Sequence, residues 1–329
     1  MSIEEPWVLS IGTGPNQAPL IGAARKLGYS IIGVDQSPNL DLIDIPIPIS
    51  TYFTQDVIDE LIKTGRYPRF EGVLCRSSGP AIVTSVIVSE KYSLPSAGKI
   101  IANCSVSKWD LFSWANKNGI STIPTLRCKQ LFSLPENWNE VVIKPAEPVF
   151  GKKNVFLIRD SDQIESAMRK ACEESLDGYA IVQPFVQGED VGLVTLSQKG
   201  KILWSSFYQE LTSLQGCTIS GRGVASLRSD FDIQVKKEIK KSAEFMLNQS
   251  NACGFVFYSF RCTDSENPML YEVNPGLCGD QLADKLLPAM WPGNDFFSLD
   301  VAVMTGHSLD FPVESPLSVK VIDGNLYAG

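Results

Sequence analysis

Short apolar runs alternate with helix-length segments through the N-terminal part of the chain. No other feature of the sequence limits the fold as strongly. WVLSIG, YSIIGVD and FEGVLC read as strands. Between them, APLIGAARKLG and TQDVIDELIKTG place apolar residues at helical spacing, and Gly28 supplies a C-terminal stop to the first. This strand–helix order predicts a parallel sheet of the doubly wound α/β type, because parallel neighbours need a crossover and helices supply it. RSSGP then turns the chain into AIVTSVIVSEKY.

After LPSAGK the texture changes. SVSKWDLFSWANKNG has the pattern of an amphipathic helix, capped by Ser105 or Ser107 and stopped at Gly119. ISTIPTLRC, EVVIKPA, KNVFLIR and YAIVQPFV read as strands, and SDQIESAMRKACEES as a helix with Ser161 at its N-cap. VGLVTLSQKGKILWSSFYQEL reads as a hairpin turning at Lys199-Gly200. The Gly- and Ser-rich LQGCTISGRGVASL is expected to be a loop, DIQVKKEIKKSAEFMLNQS a long helix, and DQLADKLLPAMW the last helix before a short tail. The expected divisions are a doubly wound domain at 1–102, a small α+β unit at 103–186 and a C-terminal α+β unit at 187–329.

Composition narrows the function. With 329 residues and 44% hydrophobic content the chain can bury a sizeable core. Its net charge of −8 comes from 29 basic and 37 acidic residues without a block of like charge, which argues against nucleic-acid binding. No apolar run approaches the roughly 18 residues of a membrane span. The start lacks the basic region of a secretory signal, so a cytoplasmic protein is expected. Eight cysteines without a CxxC pair read as reduced thiols. The single histidine, His307, reads as a surface or helix-end residue, so chemistry must rest on lysines, arginines, carboxylates, backbone amides or a bound cation.

Five stretches carry candidate sites. GTGPN, Gly12 to Asn16, follows a strand and opens a helix, so amides such as that of Gly14 can hold an anion. Gln17 replaces a glycine of the dinucleotide fingerprint, although Asp35 stands where a ribose-binding acid lies. A structural turn or a small-substrate contact therefore ranks above dinucleotide binding. Arg76 and Ser77 follow a strand on the ligand-binding edge of an α/β sheet, where Arg76 grips a substrate carboxylate or lies on the surface.

Lys144 is an isolated lysine in the apolar strand VVIKPA. With Lys152 and Lys153 in the loop that follows it suits a polyphosphate clamp, the alternative being a snorkelling lysine at a strand end. In IVQPFVQGED, Gln183 ends an apolar strand, the Pro184–Val186 backbone can read an adenine edge, and Asp190 or Glu189 can take ribose hydroxyls; the alternative is an ordinary strand exit. The fifth stretch, GFVFYSFRCTDSENPMLYEVNPG, is a hairpin. A turn at Asp264 to Asn267 sets Ser259 opposite Glu272 and Phe257 opposite Asn274. Glu272 and Asn274 then project to one side as hard oxygen ligands suited to Mg²⁺, unless that face is simply exposed.

In this order, Lys108 in SKWDLF, VVIKPA, VQPFVQGED and LYEVNPG resemble the ATP-grasp superfamily, and the N-terminal part resembles the pre-ATP-grasp domain of its carboxylate–amine ligase and carbamoyl phosphate synthase-like branch. The resemblance implies an ATP cleft between two subdomains. Lys108 and Lys144 would contact the phosphates, residues 151–154 would close over them, Gln183, Pro184, Phe185 and Val186 would line adenine, and Asp190 would hold the ribose. Glu272 and Asn274 would hold Mg²⁺. Arg222 and Arg261 would steady the transferred phosphate or the substrate carboxylate. The implied reaction is activation of a small-molecule carboxylate as an acylphosphate for attack by an amine, and homodimers are common in the family. The sequence departs from the family at Ser259, where many relatives carry an acid thirteen residues before the Glu of E-x-N, at Asp190 in place of Glu, at Gly276 in place of Arg, and in a phosphate loop with few glycines. Two rivals follow: a nucleotide-binding protein without turnover, and a dinucleotide-dependent oxidoreductase.

Overall fold

The computed structural model describes residues 5–63, 65–130, 134, 136–148, 154–263, 267–277, 279, 281–307 and 316–328. The N-terminal alternation folds as β1 (Trp7–Ile11), α1 (Ala18–Lys26), β2 (Ser30–Val34), β3 (Ile45–Ile47), α2 (Thr54–Leu61), β4 (Phe70–Cys75) and α3 (Pro80–Lys91). The strands form one parallel sheet in the order β3-β2-β1-β4. Successive residues feed opposite cores: Leu9, Ile32 and Val73 face α2 and α3, whereas Val8, Ile31 and Leu74 face α1. Burial on both faces explains why these strands are apolar throughout rather than alternating. AIVTSVIVSEKY is the helix α3, buried on most of its circumference, which erases the polar stripe that marks a surface helix. The edge strand β3, interrupted by Pro46, carries no sequence signal of its own.

The rest of the chain begins with α4 (Lys99–Val106), α5 (Lys108–Lys117), β5 (Leu126–Cys128), β6 (Val141–Pro145), β7 (Phe156–Ile158), α6 (Ile164–Glu173) and β8 (Ala180–Pro184). It continues as β9 (Glu189–Gln198), β10 (Lys201–Gln215), β11 (Thr218–Ser226), α7 (Ile233–Ser250), β12 (Gly254–Cys262) and β13 (Met269–Pro275). A π-helical turn at Leu282–Leu286 leads into α8 (Leu287–Met290), then α9 (Phe296–Met304), β14 (Val319–Ile322) and β15 (Asn325–Ala328). A second sheet has the order β13-β12-β9-β10-β11-β7-β6-β8-β5, with β14 and β15 branching from β11. Between β11 and β7 its ladder narrows to the pair Thr218↔Phe156, flanked by bonds from Leu157 N to Cys217 O and from Ile219 N to Val155 O. The sheet is therefore two halves joined at one corner. One half packs on α6 and the other on α4, α5 and α7.

Four sequence expectations change. LQGCTISGRGVASL is not a loop: it forms β11, because a long antiparallel ladder with β10 satisfies the backbone of residues whose propensities favour turns. The cap before α6 is Asp160, which accepts from Asp162 N, rather than Ser161. DQLADKLLPAMW is split between the π-helical turn and α8, with Pro288 at the start of α8. The chain then adds α9, β14 and β15 where a short tail was expected. The Lys199-Gly200 turn stands as read, with φ of 49° and 79°, and Ser107, not Ser105, caps α5. All seven described cysteines are free thiols, and no described helix is long and apolar enough to cross a membrane.

The helix α9 locks the two sheets together. A Cβ at Gly72 of β4 would lie 2.8 Å from Met304 O, and one at Gly254 of β12 would lie 2.9 Å from Met304 Sδ. Only glycines let α9 seat against both strands. Within that wedge Asp300 is buried and accepts from Phe255 N at 3.3 Å. Burial raises its carboxyl from 3.8 to about 7. Below pH 3.8 both folded and unfolded states carry it neutral. Between 3.8 and about 7 the unfolded state ionises first, so stability falls as pH rises, by on the order of a few kcal/mol in total. Asp300→Asn keeps the acceptor and removes the ionisation. Its melting temperature should exceed that of the natural chain at pH 8 and converge with it at pH 4, as read by thermal denaturation across that range.

Candidate functional site

The open corner between the two sheet halves is a cleft. Lys108, Lys144, Gln183, Phe185, Asp190, Arg261 and Glu272 line it, so most residues singled out from the sequence converge here. Lys144 stands on β6 among Val141, Ile143 and Ala146, all buried, and is itself only 7% exposed. Among the described residues its ammonium has neither an ion pair nor a hydrogen bond. Its neighbours are the ring faces of Phe112 and Tyr271, at 5.6 and 5.9 Å. Burial, then the Lys108 charge, lowers it from 10.5 to about 7 against the pull of Glu272 and Asp190. Lys108 opens α5, where the helix dipole already favours an anion. Its backbone N–H donates to Ala146 O at 3.0 Å, which ties the start of α5 to the end of β6. Burial lowers the Lys108 ammonium as well. Two desolvated cations and a helix N-terminus therefore meet at one wall, and an anion there relieves all three.

The opposite wall is the hairpin. The observed register pairs Ser259 with Glu272 and Phe257 with Asn274, as the sequence predicts. A bulge at Ser259/Phe260 leaves Tyr271 unpaired, and Tyr271 lines the cleft beside Glu272, which alternation alone would forbid. Asn274 lies two residues on from Glu272, outside the residues lining the cleft. Ser259 is buried and its hydroxyl donates to Glu210 of β10 at 2.5 Å. Asp190 is buried, and Arg261 reaches it from the facing position on β12 at 3.0 Å while also donating to Gly188 O at 2.9 Å. Arg261 is thus bound up with Asp190, whose charge it balances.

Gln183 donates to Thr125 Oγ1 at 2.8 Å, and the Phe185 N–H donates to Glu140 O; Pro184 and Val186 flank this contact. Lys152 and Lys153 lie outside the described residues. Arg222 is on the strand β11, 57% exposed and 3.8 Å from Asp323, rather than in a loop. It borders a smaller opening beside Glu210, Asp190 and Arg261. Tyr271, Phe112 and Thr125 escaped sequence reading, since each looks like an ordinary core or turn residue. Lys144 in an apolar run was the one signal that pointed to their surroundings.

A second cavity, of about 780 Å³, opens at the C-terminal ends of β1, β2 and β4, lined by Gly12, Asn16, Gln17, Asp35, Tyr52, Ser77 and their neighbours. Gly14 lies in the turn between β1 and α1, beside the Gln17 side-chain oxygen Oε1, which a Cβ at Gly14 would approach within 3.1 Å. Arg76 is not on the surface. It donates to Leu277 O, Asn16 O and Asp284 Oδ1 at 2.7–2.8 Å and stacks over Phe297, so its guanidinium bolts the parallel sheet to the segment after β13. Gln17 donates to Arg76 O and Ser77 Oγ, and fills the mouth of the turn where a dinucleotide pyrophosphate would need space. Glu272 lines the first cleft and Gly279 the second cavity. Gly276 departs from the family pattern for a steric reason: at φ 80° a Cβ would lie 2.8 Å from Cys75 O.

A parallel sheet joined to a split antiparallel sheet, with buried lysines facing a Glu-x-Asn hairpin across the split, is the ATP-grasp fold. Solved structures of that fold superpose over nearly the whole chain. An N5-carboxyaminoimidazole synthetase from Staphylococcus aureus complexed with ADP is 13% identical, with a TM-score of 0.73, covering 98% of this chain and 83% of that one. An L-amino acid ligase from Bacillus licheniformis is 16% identical, with a TM-score of 0.72, at 97% and 80% coverage. The biotin carboxylase domain dimer of a Hydrogenobacter thermophilus 2-oxoglutarate carboxylase, with MgADP, ADP and bicarbonate, is 11% identical, with a TM-score of 0.71, at 96% and 74% coverage. No family model and no curated protein matches the chain. At these identities the likeness is one of fold.

The buried ammonium yields a stability test that does not depend on turnover. Between pH 7 and 10.5 the folded state has lost a proton that the unfolded state keeps, so stability rises with pH across that window. Lys144→Met should raise the ligand-free melting temperature by a few °C at pH 6.5 and flatten this pH dependence. It should also abolish stabilisation by inorganic tripolyphosphate, which in the natural chain at pH 8 is accompanied by proton uptake seen as buffer-dependent calorimetric heat.

Proposed function

We propose that the protein is an ADP-forming, ATP-dependent ligase that activates a small-molecule carboxylate for attack by an amine. One observation carries the reading. Lys144 is a desolvated cation without a carboxylate partner among the described residues, and it shares an open cleft with Glu272. The fold and the ADP complexes of its neighbours support it.

Mg²⁺ fits the donor set. Among the described residues no group of three or more His, Cys, Asp or Glu could hold a metal alone. Glu272 and the Asn274 amide oxygen offer an incomplete shell of hard oxygens, which phosphate oxygens of a bound nucleotide would finish. Bound there, the ion would neutralise charge between the terminal phosphates. Lys108 and Lys144 would hold the phosphates from the other wall. Gln183 and Phe185 would flank the base, with Asp190, steadied by Arg261, toward the ribose.

A carboxylate oxygen of the acid attacks the terminal phosphorus, the bond to ADP breaks, and an acylphosphate forms. The amine nitrogen then attacks the acyl carbon, the carbon–oxygen bond to phosphate breaks, and the amine's proton passes to solvent. Rate comes from alignment and charge neutralisation, with no nucleophilic side chain required. The second cavity would hold a substrate. Its charged described lining residues are Asp35 and Arg76, and Arg76 is spent on three protein oxygens. Asp35 is likewise engaged, accepting from Thr13 N at 3.0 Å and from Ser37 N at 3.1 Å.

ADP release measured over panels of acids and amines should require one of each. Lys144→Ala and Glu272→Gln should each lower that release by about 10²-fold or more. ATP-dependent stabilisation without ADP from any pair would mean a nucleotide-binding protein instead. Stabilisation by NAD(P) rather than ATP would replace the reading altogether.

A further inference from the structure

We propose that Glu210 is the second carboxylate of the divalent-cation site, supplied from β10 to a position that Ser259 leaves without an acid. This rests on the ligase reading only in that a nucleotide brings the cation. One row of the sheet runs Tyr208–Gly192–Ser259–Glu272 across β10, β9, β12 and β13. Glu210 lies two residues beyond Tyr208 and so projects from the same face. Neighbouring strands are about 4.8 Å apart, so a side chain from β10 must cross β9 to reach β12. Glycine at 192 permits such crossing contacts: a Cβ there would fall 2.0 Å from the Tyr208 ring, so the row is open to large side chains from β10. Glu210 completes the reach, with its Oε1 2.5 Å from the Ser259 hydroxyl.

Ser259 is thus a positioning residue rather than a lost ligand. Its hydroxyl donates to one Glu210 oxygen, from the position that pairs across the hairpin with Glu272. An acid at 259 would instead press a second charge against Glu210. Independently of the acids, Lys144 is more than nine-tenths buried in the cleft that Glu272 lines and has no ionic partner among the described residues, while Glu210 borders the adjoining opening, which shares Asp190, Thr212 and Arg261 with that cleft. Lys144 calls for an anion on the far side of any cation held there. Glu210, Glu272 and the Asn274 amide are oxygen donors of the kind Mg²⁺ and Mn²⁺ take.

The test is Mn²⁺ binding in the presence of ADP, followed by the loss of the free-ion electron paramagnetic resonance signal, with metal-free ADP affinity measured by calorimetry on the same samples. Glu210→Gln should weaken Mn²⁺ binding about tenfold or more while metal-free ADP affinity stays within about twofold, which also reports an intact fold. Ser259→Ala should weaken Mn²⁺ more mildly. The exchange Glu210→Ser with Ser259→Asp should restore much of the loss. If Glu210→Gln holds Mn²⁺ as the natural chain does, or if Mn²⁺ adds nothing to ADP binding in the natural chain, Glu210 is not a ligand although the nucleotide site stands. If the natural chain binds no ADP at all, the ligase reading falls and takes this inference with it.

Discussion

The buried ammonium of Lys144 sets the condition that the rest of the cleft answers. A lysine inside a strand whose neighbours are buried costs desolvation energy, and among the described residues no hydrogen bond or ion pair offsets it. The fold keeps the charge by surrounding it with weaker compensation: two aromatic faces, the more distant charges of Glu272 and Asp190, and an opening to one side. Nothing about folding alone requires this, since methionine would fill the same space at lower cost. The arrangement makes sense when the partner arrives from outside. A polyanion entering the cleft meets cations already stripped of water, in a medium where each contact is stronger than in bulk solvent.

The architecture around that lysine explains how two walls hold their separation. The two halves of the antiparallel sheet share little more than the Thr218↔Phe156 corner, so the lysine wall and the hairpin wall are separately packed units with a gap between them. The hairpin wall is in turn fixed to the parallel sheet by α9, by the three bonds of Arg76, and by the close approach of Gly276 to β4. The described residues after Glu272, as far as Leu277, are therefore held against the parallel sheet. For a reaction that depends on alignment, this rigidity matters more than any single acid or base.

Much of this was legible before the coordinates. The apolar strands, the helix stops at glycine and the Lys199-Gly200 turn are local signals, and they survive in the fold because packing agrees with them. The Ser259–Glu272 pair matches a count from a turn at Asp264 to Asn267, but the pairs nearest the turn, Arg261 with Met269 and Phe260 with Leu270, would set Ser259 against Tyr271, and the bulge between Ser259 and Phe260 shifts the register by one. What failed was set by distant partners. β11 is a strand because β10 is long enough to pair with it, despite its glycines. α9 is nearly all apolar because two sheets cover it, so it carries no amphipathic stripe. Arg76 is equally ambiguous in sequence as a surface or substrate-binding residue. Only the fold brings Leu277, Asn16 and Asp284 to it.

The Ser259–Glu210 contact shows why a site can stay while its sequence signature moves. What a cation or a phosphate responds to is charge and oxygen geometry at a point in space, not the strand from which a side chain comes. A sheet offers several ways to fill such a point, because residues in one cross-strand row share a face, and a side chain two strands away can reach where a glycine clears its path. Replacing an acid with serine on β12 looks like loss when positions are compared one at a time. On the sheet it pairs with a glutamate on β10, and the two positions together retain one hydroxyl donor and one carboxylate beside Glu272. If Glu210 acts as proposed, compensation of this kind would preserve the electrostatics of the cleft while lowering position-by-position identity. That is the combination seen here: TM-scores of 0.71 to 0.73 at 11–16% identity.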